Sequence, residues 1–511
     1  MVLFIVTIVI AMLTLAVIAL ATLSSREYEA TRLRGDEIQA GQLVQSGIEY
    51  IIQMIKRPQN ASPVADEGIA DALHFTNVAS TDPLYDNPAG FRNVEVIPAI
   101  TGRAGRGAGR FTVFSPKIER TGIVGIRYGL FNESNCLHLG TILEWEEETP
   151  GAGAGALLKL PGMTPSIRDS IIDWIDANKT PLRSGAERDY YERSGVPYRP
   201  RNAIPVSLKE LLLVRDMTRL LLYGDVQRLD EYFQQARLAQ PTIGLLEIEP
   251  LTEAPLSMPS LFPDFPTAAT DNESEAVLPT ETTSIPWCWL LTVHSAEKIV
   301  NPDDEPKIFL NEDDLDFLSQ QLQRRLDDES VQFIVSWRKT KGTIDDPVDL
   351  LDATVTQNAS ETTTAPPSNV ELKSPFSFND PIREERFLRL LDYATSIPDI
   401  VIDGRINVNE APRLVLEAVP ELNQQLVSQI LARRGMQSER KQGRFRHAVW
   451  LLAEKIVDLE TMKKLSKRLT TGGDVYRATV VGHYDVLGIK TQQEVVIDAT
   501  VKPARVLVSN E

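Results

Sequence analysis

The sequence is poor in the side chains that most often carry chemistry. Its five histidines, His74, His138, His294, His447 and His483, are scattered over 511 residues with no metal-binding spacing. Each reads as packed or solvated. The two cysteines, Cys136 and Cys288, lie far apart with no ligand partner nearby. That excludes a disulfide scaffold and a zinc site, and leaves one bridge between them open in an oxidising compartment. No nucleophile elbow, Walker loop or dinucleotide fingerprint occurs, which argues against hydrolase and nucleotide chemistry. Positive charge is scarce too: 53 Lys and Arg face 71 Asp and Glu, a net charge of -18. A nucleic-acid binder needs a concentrated basic footprint to release counterions from phosphates, and none stands out.

Charge of either sign is missing from residues 1–23, MVLFIVTIVIAMLTLAVIALATL. At 1.5 Å per residue this run extends about 35 Å, enough for a bilayer core of about 30 Å. A cleaved signal is the alternative, because Ala19-Leu20-Ala21 resembles a signal-peptidase site. Two features oppose it: the run has no basic residues before it, and it is longer than a usual signal core. The helical pattern also continues, with Val44, Ile48, Ile51, Ile52 and Ile55 on one face until Pro58 stops it. A helix over 2–57 is therefore expected, about 84 Å long, half in lipid and half packed on a head.

A length of 511 residues corresponds to about three domains by a soft prior. Strands are expected around Val94–Ile97 and Arg110–Phe114, and again in DVYRATVVGHYD and QQEVVIDATV near the end. WCWLLTVHS (287–295) gives a further strand signal. Two Pro-, Thr- and Ser-rich stretches, 241–286 and 352–374, read as linkers or long surface loops. The tryptophans Trp174, Trp287, Trp289, Trp337 and Trp450 sit in apolar contexts, so core packing is their default role.

The uncharged span running into an amphipathic helix and a large head resembles the type IV pilin and pseudopilin class. Within 155–217 the blocks Leu160-Pro161-Gly162-Met163, Asp173-Trp174-Ile175-Asp176, Gly185-Ala186-Glu187-Arg188-Asp189-Tyr190-Tyr191 and Ser207-Leu208-Lys209-Glu210-Leu211 before Val214-Arg215 follow in order. Together they resemble the K-type minor pseudopilin of type II secretion systems, over roughly 1–225 and more loosely 375–511. Where that family has a Leu-Asn-Leu-Asn run, this chain reads Leu137-His138-Leu139-Gly140.

The resemblance implies an α+β fold: a long N-terminal helix and a pilin-like α/β head carrying inserted helix-hairpin-helix-like modules. The expected parts are a transmembrane helix (1–23), its amphipathic continuation (24–57), a pilin-like part (58–140) and a helical insertion (141–240). A linker (241–286), a middle strand-helix-helix module (287–345), a second linker (346–374), a second helical domain (375–472) and C-terminal strands (473–511) follow. It also implies a non-enzymatic subunit at the tip of the pseudopilus, anchored once in the bacterial inner membrane with its head periplasmic. Its partners would be other minor pseudopilins, the inner-membrane secretion platform and, if a basic leader lies upstream, a prepilin peptidase. Most pilins carry an early Glu that pairs with a neighbour's N-terminus, whereas the first acid here is Glu27. A subunit without that carboxylate has no use for a neighbour above it, which suits a tip position.

Ile406-Asn407-Val408-Asn409 before two helices is echoed by Ile308-Phe309-Leu310-Asn311 and by Leu137 to Gly140. These read as three degenerate copies of one strand-helix-helix unit, with Asn311 and Asn409 suited to cap the following helix. A DNA-gripping hairpin would need Gly-rich turns whose amides approach phosphates. Only Gly162 is of that kind, and Val419-Pro420-Glu421-Leu422 puts a carboxylate where a phosphate would sit. An exported DNA-binding protein, as in DNA uptake, is the alternative from a different class.

One loop carries candidate site chemistry. DANKTPLRSGAE places Asp176, Asn178, Thr180, Leu182, Ser184 and Glu187 at positions 1, 3, 5, 7, 9 and 12, the spacing of oxygen ligands in an EF-hand loop. Pro181 stands where the mid-loop Gly of an EF-hand belongs, so any calcium site has another backbone path. Asp173 and Asp189 are further candidate ligands, and K-type pseudopilins bind calcium. The competing reading is a solvated, polar helix connection with a capping Asp. Asn301, Asp303 and Asp304 form a second, weaker candidate.

Overall fold

The computed structural model describes residues 2–56, 84–97, 107–119, 122–196, 198–224, 285–357, 370–434, 443–484 and 490–510. The apolar N-terminus and its amphipathic continuation are one uninterrupted helix, Val2–Lys56. It is long and apolar enough, by length and composition, to cross a membrane. Its described side chains through Leu33 are exposed, whereas Ala40, Leu43, Val44, Ile48, Ile51 and Ile52 are buried. The face expected from the 3.6-residue spacing is the face that packs.

That face lies on an antiparallel sheet of seven strands. Its main path runs Val94–Ile97, Gly109–Glu119, Val475–Tyr484, Lys490–Asp498 and Arg505–Asn510, with Gly122–Arg127 and Phe131–Asn132 joining at the side. The sheet is therefore made from two distant pieces of sequence. Val480 pairs with Val113 on one side and Gln493 on the other. Contact between helix and sheet is close enough to require glycine: a Cβ on Gly482 would lie 2.2 Å from the Ala40 carbonyl oxygen and 2.9 Å from the Val44 nitrogen. On the helix, a Cβ at Gly47 would meet Val480 Cγ1 at 2.7 Å.

The described residues between the sheet's two pieces build one continuous hydrophobic core. The three short strands that open the expected repeats are each closed in the same way. The short strand Leu137–His138 pairs in parallel with Leu291–Thr292, Ile308–Phe309 with Ala394–Thr395, and Ile406–Asn407 with Leu469–Thr470. In each unit described helices lie within the crossover that a parallel pair demands. Asn311 and Asn409 do not cap the next helix, as the sequence led us to expect. Asp314 and Pro412 stand at those caps. Asn311 instead exchanges both hydrogen bonds with the Ile344 backbone, 2.8 and 2.9 Å. Asn409 donates to the Phe445 carbonyl and accepts the Trp450 indole N–H at 3.0 Å. Both amides clamp the chain after the unit's second helix.

WCWLLTVHS is mostly not a strand. Trp287–Trp289 is a 3-10 turn, and only Leu291–Thr292 is extended. The tryptophans named from sequence are all buried. Within the expected linker 346–374, Thr354–Gln357 and Val370–Lys373 pair as antiparallel strands, while 358–369 and most of the linker 241–286 lie outside the described residues.

The sheet and the helical core are joined by a buried ion pair. Arg477, on the central strand, donates from Nε and Nη2 to Glu133 at 2.6 and 2.9 Å and from Nη1 to the Cys288 carbonyl at 2.7 Å. Thr292 Oγ1 donates to the same carboxylate. Both charged side chains are 7% exposed or less.

Candidate functional site

The candidate loop is held by the helix before it, Pro165–Ile175, which Thr164 caps through the Ile167 N–H. One face of that helix carries Ile167, Ile171, Ile172, Trp174 and Ile175 into the core. Asp169 and Asp173, four apart and therefore on the same side, turn to the loop instead. Asp169 accepts the Ser184 N–H at 3.0 Å and Asp173 accepts the Leu182 N–H at 3.0 Å. These bonds replace the missing EF-hand glycine as the device that bends the chain. Gly185 follows from the same wrapping, since a Cβ there would lie 1.9 Å from Asp173 Oδ2.

The matched sequence blocks explain one another in three dimensions. The Trp174 indole donates to Glu210 at 3.0 Å, and the Trp287 indole donates to the Pro161 carbonyl at 2.8 Å. Tyr191 stacks edge-on against Trp174 and its hydroxyl accepts the Arg215 N–H at 3.1 Å.

Asp173, Asp176 and Glu187 are all buried. Burial raises each carboxyl above its ordinary range, and mutual repulsion adds to it: Asp176 and Glu187 act on Asp173, and Asp176 acts on Glu187. Asp173 is pushed up to about 6. Asp176 Oδ1 and Glu187 Oε1 are buried with no hydrogen-bond partner. Buried polar oxygens are ordinarily satisfied, so two orphans among three acids are notable. Asp176 also sits at the C-terminal end of its helix, where the backbone dipole is negative and favours a cation.

Of the residues the spacing singled out, Asp176 and Glu187 come together with Asp173. Asn178 supports them by donating from Nδ2 to Asp176 Oδ2 at 2.7 Å. Thr180 is exposed and its N–H is bound by Asn178 Oδ1. Ser184 contributes its N–H to Asp169, and Asp189 is exposed in the first turn of Arg188–Arg193. Among the described residues, no three His, Cys, Asp or Glu side chains form a ready-made metal cage. Oxygen donors are the kind of ligand a hard cation takes.

The second candidate is neutralised by the protein itself. Asp303 pairs with Arg325 at 2.9 Å, and Asp304 with Lys502 and Lys298. The Asn301 side-chain oxygen accepts the Asp303 and Glu305 N–H groups. Sequence spacing could not show these cations, which arrive from other elements.

The charged hairpin of the third unit is neutralised likewise. Glu421 adopts a left-handed φ of 72° and pairs with Arg468, whose guanidinium also reaches Glu148 at 3.1 Å.

Residues 143–224, the segment holding this loop, match the family model described as Type II secretion system (T2SS), protein K. No curated protein matches the chain. Among solved structures, the chain is similar to a chain in the crystal structure of the GspK-GspI-GspJ complex from the enterotoxigenic Escherichia coli Type 2 Secretion System. That likeness has a TM-score of 0.37 at 11% identity, covering 94% of this chain and 98% of that one. The ordered blocks of 155–217 lie inside the segment that matches the type II secretion system protein K model, in an α+β head that follows a long apolar helix.

Proposed function

We propose that this chain is a minor pseudopilin at the tip of a type II secretion pseudopilus, acting in filament assembly and protein secretion and making or breaking no bond. The observation that carries the reading is the continuous helix Val2–Lys56. Its first half offers exposed apolar side chains to lipid or to neighbouring helices, and its second half is seated on the sheet. Such a helix anchors the subunit before assembly and joins a helical bundle during it, with the head on the periplasmic side of the inner membrane. The partners are other minor pseudopilins, as in the GspK-GspI-GspJ complex, together with the inner-membrane platform. The test is light scattering of the head, residues 24–511, mixed with heads of the other minor pseudopilins of the same secretion system. A defined hetero-complex is expected, and a head that stays monomeric with every partner would overturn the assignment.

Calcium belongs to this reading. Asp173, Asp176 and Glu187 would hold it, with Asn178 positioning Asp176. The bound ion would supply the positive charge that three crowded carboxylates lack. The pH dependence has a definite sign. Asp173 has a folded-state value of about 6 against an ordinary 3.8. Without a cation its contribution to stability is present below about pH 4 and is lost as pH rises through 6. Calcium must displace that proton, so its stabilisation should be larger at pH 7.5 than at pH 5. At a hundredfold excess over the dissociation constant it amounts to about 2.7 kcal/mol. Thermal melts with calcium or chelator at the two pH values measure it. Asp173→Asn should remove most of the calcium-dependent rise, and an equal rise in that variant would sink the assignment of these ligands.

The DNA-binding alternative makes the opposite prediction in a different assay. With the Glu421 carboxylate in the third hairpin, the head should show no retention of duplex DNA at about 0.15 M salt. Retention with a steep salt slope would favour that alternative.

A further inference from the structure

We propose that Cys136 and Cys288, the only two cysteines of the chain, form an intramolecular disulfide that ties the sheet-bearing part of the head to the start of the middle module. The two are distant in sequence, and the fold brings them into one dry patch. Cys136 directly precedes Leu137–His138, which runs parallel to Leu291–Thr292 with Leu137 opposite Leu291. The Leu137 N–H donates to the Leu290 carbonyl at 2.8 Å. Cys136 Sγ lies 3.4 Å from the carbonyl oxygen of Trp289, the residue next to Cys288. Arg477 donates to the Cys288 carbonyl, and its ion-pair partner Glu133 is three residues before Cys136. Both side chains are buried, 0% and 9% exposed. Each thiol also feels the electrostatic influence of the Glu133 and Arg477 pair, and Cys136 that of Cys288.

The bridge forms by thiol–disulfide exchange. One cysteine thiolate attacks a disulfide oxidant to give a mixed disulfide, and the second cysteine then displaces the oxidant's sulfur. Two protein S–H bonds and the oxidant's S–S bond break, one protein S–S bond forms, and the two electrons and two protons leave with the oxidant as a pair of thiols. In the folded protein burial keeps both thiols protonated, Cys288 with its value pushed up to about 12 and Cys136 also well raised. Neither is a nucleophile once the core has closed. The exchange therefore takes place during folding, and the finished bridge is shielded from reductants in the same way. Where it forms in the cell rests on the periplasmic placement of the head; whether the two sulfurs can join does not.

The experiment is thiol trapping on the full-length protein extracted from membranes by acid quench. It is denatured, alkylated with iodoacetamide with or without prior reduction, and weighed intact. The expected result is a monomer with no alkylated cysteine before reduction and two after it. Dithiothreitol added to the native protein should leave that pattern unchanged, while reduction in denaturant opens the bridge. In parallel the full chain is reduced, unfolded and refolded in detergent with a glutathione redox couple. A bridged monomer is expected there too, with Cys136→Ser and Cys288→Ser each melting several degrees below it. A bridge that forms on refolding but is absent from cells supports the pairing and counts against the periplasmic placement alone. Two free thiols after oxidative refolding, or a disulfide-linked dimer, would overturn the proposal.

Discussion

Arg477→Met is expected to cost the head about 3–5 kcal/mol, the usual consequence of removing one partner of a buried ion pair. The size follows from what remains. Glu133 is fully buried and would keep only the hydroxyl of Thr292 against a charge that had two guanidinium donors. The Cys288 carbonyl would lose its donor as well. Three segments meet at this guanidinium: the central strand, the turn at Glu133–Asn135 and the entry to the middle module. The loss should thus appear as one coupled shift of the denaturation midpoint in both sheet and helical signals. Replacing both partners by Met removes the stranded charge and should restore much of the stability. If Arg477→Met alone shifts the midpoint by less than about 1 kcal/mol, the pair is not the joint described above.

Gly482→Ala should have the next largest effect, about 1–3 kcal/mol, by overpacking. The added carbon would stand 2.2 Å from the Ala40 carbonyl oxygen, so the obstacle is backbone and no side-chain rotation relieves it. The helix must lift from the central strand, which opens the seam around Leu43, Val44 and Val480. Hydrogen exchange should accelerate at Ala40–Ile52 while the amides of Pro165–Ile175 keep their protection. Uniform acceleration through both regions would show that the seam and the helical core do not open separately.

Periodic and local features were readable from the sequence. The apolar face Val44 to Ile55 and the C-terminal strand pair follow from spacing alone, because one side of a helix or strand must be dry. The three units were visible as repeated strand and helix signals. Their closure was not, because a two-residue parallel pair such as Ile406–Asn407 with Leu469–Thr470 is too short to leave a pattern. WCWLLTVHS misled for a related reason: buried aromatic residues look alike in a strand and in a 3-10 turn. At the loop, oxygen spacing pointed to Asp176 and Glu187. What bends the chain there lies in the preceding helix, in Asp169 and Asp173, and in Gly185. Partners fixed by tertiary folding, such as Lys502 on Asp304 or Arg477 on Glu133, leave no local trace at all.

The split sheet sets an order of events during synthesis. The N-terminal helix and the strands up to Asn132 leave the ribosome first, but their central partner, Val475–Tyr484, comes near the very end of the chain. Each helical unit closes on its own short strand before the next begins, so these units can settle one after another while the sheet waits. Until the last strands arrive, the lower half of the long helix has only the early strand Gly109–Glu119 and Phe91 to rest on, and its contacts with Val480 and Gly482 are missing. A chain cut short near its C-terminus would therefore keep most of its folded mass and still lose the central strand beneath its long helix.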